Sequence, residues 1–256
     1  MKSVLYALIL FLAIVLLAVL YDSMSESGGT GGGPAGSVVF STSKDRSITS
    51  TSDAMNDGNN SFTIELFYKA DDANLDATTT LYSFYGTLPD TTTETITRFE
   101  LELNTEGKRV LKWYVKTFLL TTYVLPTENL TSWNHIAYVY NSNNENRMYF
   151  NGNLIHTEDI PLNINYASPP VVELGFYGSA GYFVGNIANV RFSTKVQYTE
   201  NFSIPSVPLS ATDTATFLQF KSQADLLVDD ADLSGSVVKQ QGDTTPMTVE
   251  NVVISF

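Results

Sequence analysis

The chain has 256 residues, a net charge of −13 and no cysteine. The acidity repels phosphate backbones and anionic lipid surfaces, which argues against nucleic acid as a partner and against a membrane-surface role for the folded part. The missing cysteines exclude disulfides, thiolate catalysis and Cys-based zinc sites.

The chain opens MKSVLYALILFLAIVLLAVLYD, in which Val4–Tyr21 is an uncharged run of 18 residues between Lys2 and Asp22. As a helix that run covers roughly 27 Å, close to the hydrocarbon thickness of a bilayer. Residues 1–22 therefore read as one N-terminal transmembrane helix, a signal anchor that meets the membrane through residues 4–21. A cleaved signal peptide is the rival reading, with a mature N-terminus near Glu26. The run ends Ala18-Val19-Leu20-Tyr21, a poor small-x-small site, which favours the anchor. Lys2 is the nearby cation and leaves the N-terminus cytosolic by the positive-inside rule. The expected location is thus a single-pass membrane protein with its C-terminal domain extracellular, lumenal or on a virion surface. Residues 23–36, SMSESGGTGGGPAG, form a flexible Gly/Ser linker with nothing to bury.

From Ser37 to Phe256 the texture changes to short runs rich in Val, Ile, Thr, Tyr and Phe, separated by turn residues. In FTIELFYK, Phe62, Ile64, Leu66 and Tyr68 alternate with Thr63, Glu65, Phe67 and Lys69. In RFELELN, Phe99, Leu101 and Leu103 face one way and Glu100 and Glu102 the other. Such period-two patterning, repeated along the chain, predicts an all-β sandwich of two antiparallel sheets over residues 37–256.

The segment WNHIAYVYNSNNENRMYFNGNLIHT is the most informative. Trp133, His135, Ala137 and Val139 share one face, and Asn134, Ile136, Tyr138 and Tyr140 the other. Asn141–Asn146 is a polar loop, and Asn151-Gly152 between two apolar runs predicts a type I′ hairpin turn. Three consecutive antiparallel strands are expected.

This segment resembles the W-x-H-[IV]-A … [LM]-Y-[VF]-[ND]-G pattern of laminin G-like domains, in the concanavalin A-like lectin/glucanase superfamily. SFTIELFYKA resembles the early strand of that family. GYFVGNIANVRFSTKVQYTENFSIP resembles its late F-x-G-x-I-x-x-V-R-[IF]-S-x-x-x-x-Y-x-x-x-F-x-x-P run. The resemblance implies a concanavalin A-like jelly roll that binds glycans or proteins, sometimes with Ca²⁺. Membrane-anchored chains of giant viruses of algae and protists are similar.

Catalytic residues are not expected. Glucanases of the superfamily carry E-x-D-x-E on one strand, whereas this chain has Glu100-Leu101-Glu102-Leu103-Asn104, without the central Asp or the last Glu. His135 lies on a strand beside Trp133, which favours a packed or surface-strand role, and His156 ends a strand with no second His, Cys or carboxylate at ligand spacing. Two acidic loops are candidate calcium sites: Asp71 with Asp72 (and Asp76), and Asp229, Asp230 and Asp232. Glycan contacts commonly stack an aromatic ring on the sugar and read its hydroxyls with amides. Tyr82, Tyr85, Tyr177 and Tyr182 flank predicted turns and supply rings, while Asn141, Asn143 and Asn144 supply amides. Asn59, Asn129 and Asn201 head glycosylation sequons. The expected function is surface recognition or adhesion, with a glycan or glycoprotein as ligand and without enzymatic activity. The alternatives are a structural protein of a virion or cell envelope, and a degenerate glycosidase.

Overall fold

The structure is a computed structural model that describes residues 35–40, 46–51, 61–71, 78–90, 92–162, 166–167, 170–176, 181–204, 214–218, 237–242 and 248–252. The chain divides into Met1–Gly33 and Pro34–Phe256, and the described residues all belong to the second unit. The expected anchor and most of the linker fall outside them. Among the described residues no helix is long and apolar enough to cross a membrane.

The strands are β1 (Ala35–Phe40), β2 (Arg46–Thr51), β3 (Phe62–Ala70), β4 (Thr79–Thr87), β5 (Thr93–Leu103), β6 (Arg109–Val115), β7 (Phe118–Val124), β8 (Asn134–Tyr140), β9 (Glu145–Phe150), β10 (Asn153–Asp159), β11 (Val171–Leu174), β12 (Gly185–Ser193), β13 (Thr214–Leu218), β14 (Val237–Gly242) and β15 (Thr248–Val252). They form two antiparallel sheets, as expected. The first runs β10-β9-β8-β3-β12-β1-β15, with β13 added along the second half of β12; the second runs β14-β2-β11-β4-β5-β6-β7.

Residues of both sheets meet in one core. Phe62, Ile64, Leu66 and Tyr68 of β3 and Ile136, Tyr138 and Tyr140 of β8 join Tyr82 and Phe84 of β4, Phe99 and Leu101 of β5, and Leu111, Trp113 and Val115 of β6. Aromatic rings dominate, each removing a large apolar area from water at about 25 cal/mol per Å². The Trp113 indole N–H is satisfied inside this core, donating to Thr97 Oγ1 at 3.0 Å.

The Trp133–Thr157 segment forms its three strands, with β8 pairing β9 and β9 pairing β10. Asn151 (φ 46°) and Gly152 (φ 77°) are the two residues of the turn, both at positive φ as a type I′ turn requires. A Cβ at Gly152 would also run into the Phe202 carbonyl oxygen. Strands β2, β7 and β14 carry weak alternation and do not stand out in the sequence. The β6–β7 turn is further hidden because Lys116, not Gly or Asn, takes the positive φ of 54°.

Candidate functional site

The outward positions of the second sheet form a polar row. Pairing places Glu173 of β11 opposite Ser83 of β4, Ser83 opposite Arg98 of β5, and Arg98 opposite Tyr114 of β6. Four strands at the usual spacing make the row roughly 14 Å wide. The alternation that sends Phe99, Leu101, Leu111 and Trp113 inward sends Arg98, Glu100, Glu102, Lys112 and Tyr114 outward.

These side chains brace one another. Arg98 Nε donates to Glu100 Oε1 at 2.7 Å, and its guanidinium carbon lies 3.7 Å from the centroid of the Tyr114 ring. Lys112 pairs with Glu102, whose other oxygen accepts the Thr78 hydroxyl at 3.1 Å. Tyr85 donates to Glu173 Oε2 at 3.3 Å. Burial, then the Glu173 charge and hydrogen bond, push the Tyr85 phenol up to about 12, so it stays a donor across the physiological range. The arrangement offers two aromatic rings, a clamped guanidinium and three carboxylates: a surface suited to reading hydroxyl groups.

The outward face of the first sheet is finished differently. Glu65 of β3 is fully buried. Its Oε1 accepts Arg191 Nε at 2.8 Å, and its Oε2 accepts the Tyr198 hydroxyl at 2.7 Å and lies 2.9 Å from His135 Nε2. An ionised carboxylate only accepts, so the imidazole proton sits on Nε2. Burial alone raises the Glu65 carboxyl pKa. The His135 hydrogen bond and charge, the Arg191 charge and the Tyr198 hydroxyl outweigh it, and hold the group below its ordinary value. Residues 194–204 cover the cluster. Tyr198 and Phe202 stack with centroids 3.6 Å apart, both rings touch His135 and Tyr149 edge-on or tilted, and the Phe202 N–H donates to Gly152 O at 2.9 Å. His135 and Glu65 are both fully buried in this cluster, so His135 is a framework residue.

The family model described as the concanavalin A-like lectin/glucanases superfamily, Laminin_G_3, matches residues 42–199. The chain belongs to that superfamily. No curated protein matches it. Among solved structures, a proposed carbohydrate binding protein from Bacteroides ovatus is similar over 86% of this chain and 60% of that one, with 14% identity and a TM-score of 0.58. The SAP-like pentraxin of Limulus polyphemus is similar over 80% of this chain and 94% of that one, with 11% identity and a TM-score of 0.47. Domains LG4-5 of the mouse laminin alpha1 chain are similar over 65% of this chain and 44% of theirs, with 11% identity and a TM-score of 0.44. At 14% identity the likeness to the Bacteroides protein supports the fold alone.

Within this lectin-type fold the sequence candidates separate. Tyr85 lies on the open face of the second sheet. Tyr82 is a correction: it lies on the same inward beat of β4 as Phe84, is fully buried, pairs with Phe99 and packs edge-on to it at 5.2 Å, so it offers no face to a ligand. Tyr182 stacks on Phe176 at 4.3 Å in the β11–β12 connection, whereas Tyr177 lies outside the described residues. Asn141, Asn143 and Asn144 close the β8–β9 turn, and the side-chain oxygens of all three are engaged within it or beside it. Asn141 Oδ1 accepts from Ser61, Asn143 Oδ1 from the Glu145 N–H and Asn144 Oδ1 from the Tyr140 hydroxyl. His156 packs edge-on to Trp113 at 5.7 Å.

Asp71 is exposed at the end of β3, its N–H bonded to Val184 O at 3.1 Å. Asp72, Asp229, Asp230 and Asp232 lie outside the described residues, as does Asn59. Among the described residues no group of three metal-ligating side chains comes together. Asn129 ends a single 3-10 turn, Thr127–Asn129. Asn201 is exposed, and its side-chain oxygen accepts the Leu154 N–H at 2.8 Å.

Arg98, Tyr114, Glu173 and Lys112 are absent from the sequence candidates. Their signal was the off-beat of the core alternation, which marks them outward but not opposite one another. Glu65 and Arg191 were also missed. Arg191 is the one charge of β12, and Glu65 shares a mixed face of β3 with Thr63, Phe67 and Lys69; neither strand by itself names the other as partner.

Proposed function

We propose that this domain is a non-catalytic, lectin-type glycan-recognition module that binds through the open face of β11, β4, β5 and β6. The observation that carries this reading is the set of braced outward side chains on β11, β4, β5 and β6: Tyr85 bonded to Glu173, and Arg98 held by Glu100 over the Tyr114 ring. Rings, a guanidinium and carboxylates held in fixed geometry bind hydroxyl-rich ligands with little ordering cost. Membership of a superfamily of lectins and glucanases supports the ligand class. The Bacteroides protein, which shares the fold, carries a description as a carbohydrate binder.

The same face supports recognition over hydrolysis. Glycosidases need one carboxylic acid and one free carboxylate flanking the bond to be broken. Here Glu100 is held by Arg98 and Glu102 by Lys112. In this reading residues 4–21 anchor the chain in a membrane and residues 23–36 hold the domain away from it, displaying the glycan-binding face for adhesion. The support for that part is the apolar run and the Gly-rich stretch of the sequence.

A glycan array probed with the wild-type chain, Arg98→Ala and Tyr85→Ala tests the proposal. It expects saturable binding to a restricted set of glycans, lost in both variants, with no reducing sugar released. A blank array, or binding untouched by both substitutions, overturns it.

A further inference from the structure

Among the described residues, the strands at the ends of the two strand orders are β10, β15, β14 and β7. β10 carries Glu158 and Asp159, β15 carries Glu250 and β14 carries Lys239, charges of the kind that guard an open sheet edge. β7, with the sequence FLLTTYV, has no charge and no proline. Its Phe118, Leu119 and Val124 are 62%, 46% and 47% exposed. Leu119 and Val124 stand opposite Tyr114 and Val110 of β6, off the inward beat of Leu111 and Trp113. The backbone of this edge is open too. The Leu125 N–H donates to Arg109 O at 3.0 Å. Antiparallel ladders alternate bonded and non-bonded pairs, so Tyr123 exchanges hydrogen bonds with Leu111, whereas Val124 with Val110 and Thr122 with Lys112 do not. The N–H and C=O groups of Thr122 and Val124 therefore point away from β6, and no described residue takes them.

Such an edge takes another strand, because only a strand matches its spacing of donors and acceptors. A second copy of β7 does so with itself. Laid antiparallel about a two-fold axis through Tyr123, Thr122 of each copy stands opposite Val124 of the other. Every free N–H and C=O of these residues then finds a partner in both copies. Charge favours the same occupant. Each copy carries a net charge of −13, so two copies repel, and an uncharged strand lets them meet without setting like charges together. Lys116, 3.7 Å from Glu94, precedes the strand, and the exposed Glu128 follows it. Antiparallel pairing brings the Lys116 end of one copy to the Glu128 end of the other.

We propose that this chain forms a two-fold dimer through β7, joining the second sheets of two copies into one continuous sheet. The axis stands perpendicular to that sheet, so the outward faces of both copies look the same way. Arg98 of each copy then lies roughly 24 Å from its counterpart, five strand spacings away. Where that face binds glycan, the dimer offers two sites to one surface and gains avidity without any new contact. That consequence rests on the glycan reading; the dimer itself rests on β7.

The chain has no cysteine, so a single nitroxide placed through Thr122→Cys reports on this edge alone. In the proposed register Thr122 lies diagonally across the axis from Thr122 of the second copy, roughly 7–8 Å away. Electron paramagnetic resonance of the labelled full chain in detergent micelles is expected to show dipolar broadening that grows with protein concentration and falls when excess unlabelled chain is added. Val124→Pro removes an N–H that β6 does not use and is expected to abolish the broadening while the melting temperature shows a folded domain. Val124→Lys, at an exposed side chain, guards the edge with a charge and is expected to weaken the broadening where the proline variant does not fold. A sharp spectrum at every concentration overturns the proposal, including one from a chain that is dimeric through another segment or whose edge holds a foreign strand. Broadening unchanged in the folded Val124 variants overturns it as well. No glycan enters this measurement, so a blank glycan array with the broadening present sinks the glycan reading alone, and a positive array with a sharp spectrum sinks the dimer alone.

Discussion

On the outer side of the first sheet, Glu65 meets Arg191, His135 and Tyr198 beneath the stacked rings of residues 194–204. On the outer side of the second, Glu100 meets Arg98 and Glu102 meets Lys112, and these side chains keep between 7% and 21% of their surface exposed. Both faces pair carboxylates with cations across strands. The difference is the cover. Where chain is laid over the charges, the low dielectric makes each partner indispensable, and the cluster acts as structure. Where water still reaches them, the pairs add little stability and remain free to exchange solvent for a ligand. Ion-pair chemistry alone therefore does not separate frame from site; accessibility does.

The sharpest way to break this comparison is to remove Glu65. Glu65→Ala leaves the Arg191 charge buried without its carboxylate and is expected to cost about 3–5 kcal/mol, measured by urea unfolding. A loss below about 1 kcal/mol would place the two faces in the same class. Next in size is Gly152→Ala. It sets a Cβ at φ 77° against the Phe202 carbonyl and is expected to cost about 1–3 kcal/mol by the same measurement.

Acid acts on the same cluster. The folded-state pKa of Glu65 lies below its ordinary 4.5, so the unfolded chain binds the proton more tightly. The Glu65 contribution is complete above pH 4.5 and fades as pH falls through the lower folded value. The melting temperature should drop on acidification below that point, and Glu65→Gln should flatten the dependence. The smallest stability effect belongs to the open face. Arg98→Ala should change stability by about 1 kcal/mol or less while weakening glycan binding roughly tenfold or more.

The sandwich was legible because period two is a property of each strand alone. FTIELFYK and RFELELN declare their inward residues without reference to a neighbour. Asn151-Gly152 declares its turn because both positive φ values are cheap for those residues. The candidate site was less legible. Arg98, Ser83 and Glu173 sit in three strands, and their alignment depends on pairing registers that include shifts at Thr80/Tyr82 and Phe84/Tyr85. Tyr82, an apparent edge aromatic, shares the inward beat of Phe84 and Phe99 and lies in the core. His135 illustrates the converse. Its strand position pointed to packing, but its partner Glu65 lies 70 residues away in sequence and only the pairing of β3 with β8 joins them.

The central claim is that the open face of the second sheet holds the glycan while the covered face holds the fold. Binding of one array-positive glycan, followed by isothermal titration across wild type, Arg98→Ala and Tyr198→Phe, tests it most directly. The account predicts that Arg98→Ala loses binding and keeps its melting temperature, and that Tyr198→Phe keeps binding and melts lower. Loss of binding in Tyr198→Phe at temperatures where it is folded, with Arg98→Ala unaffected, would contradict it.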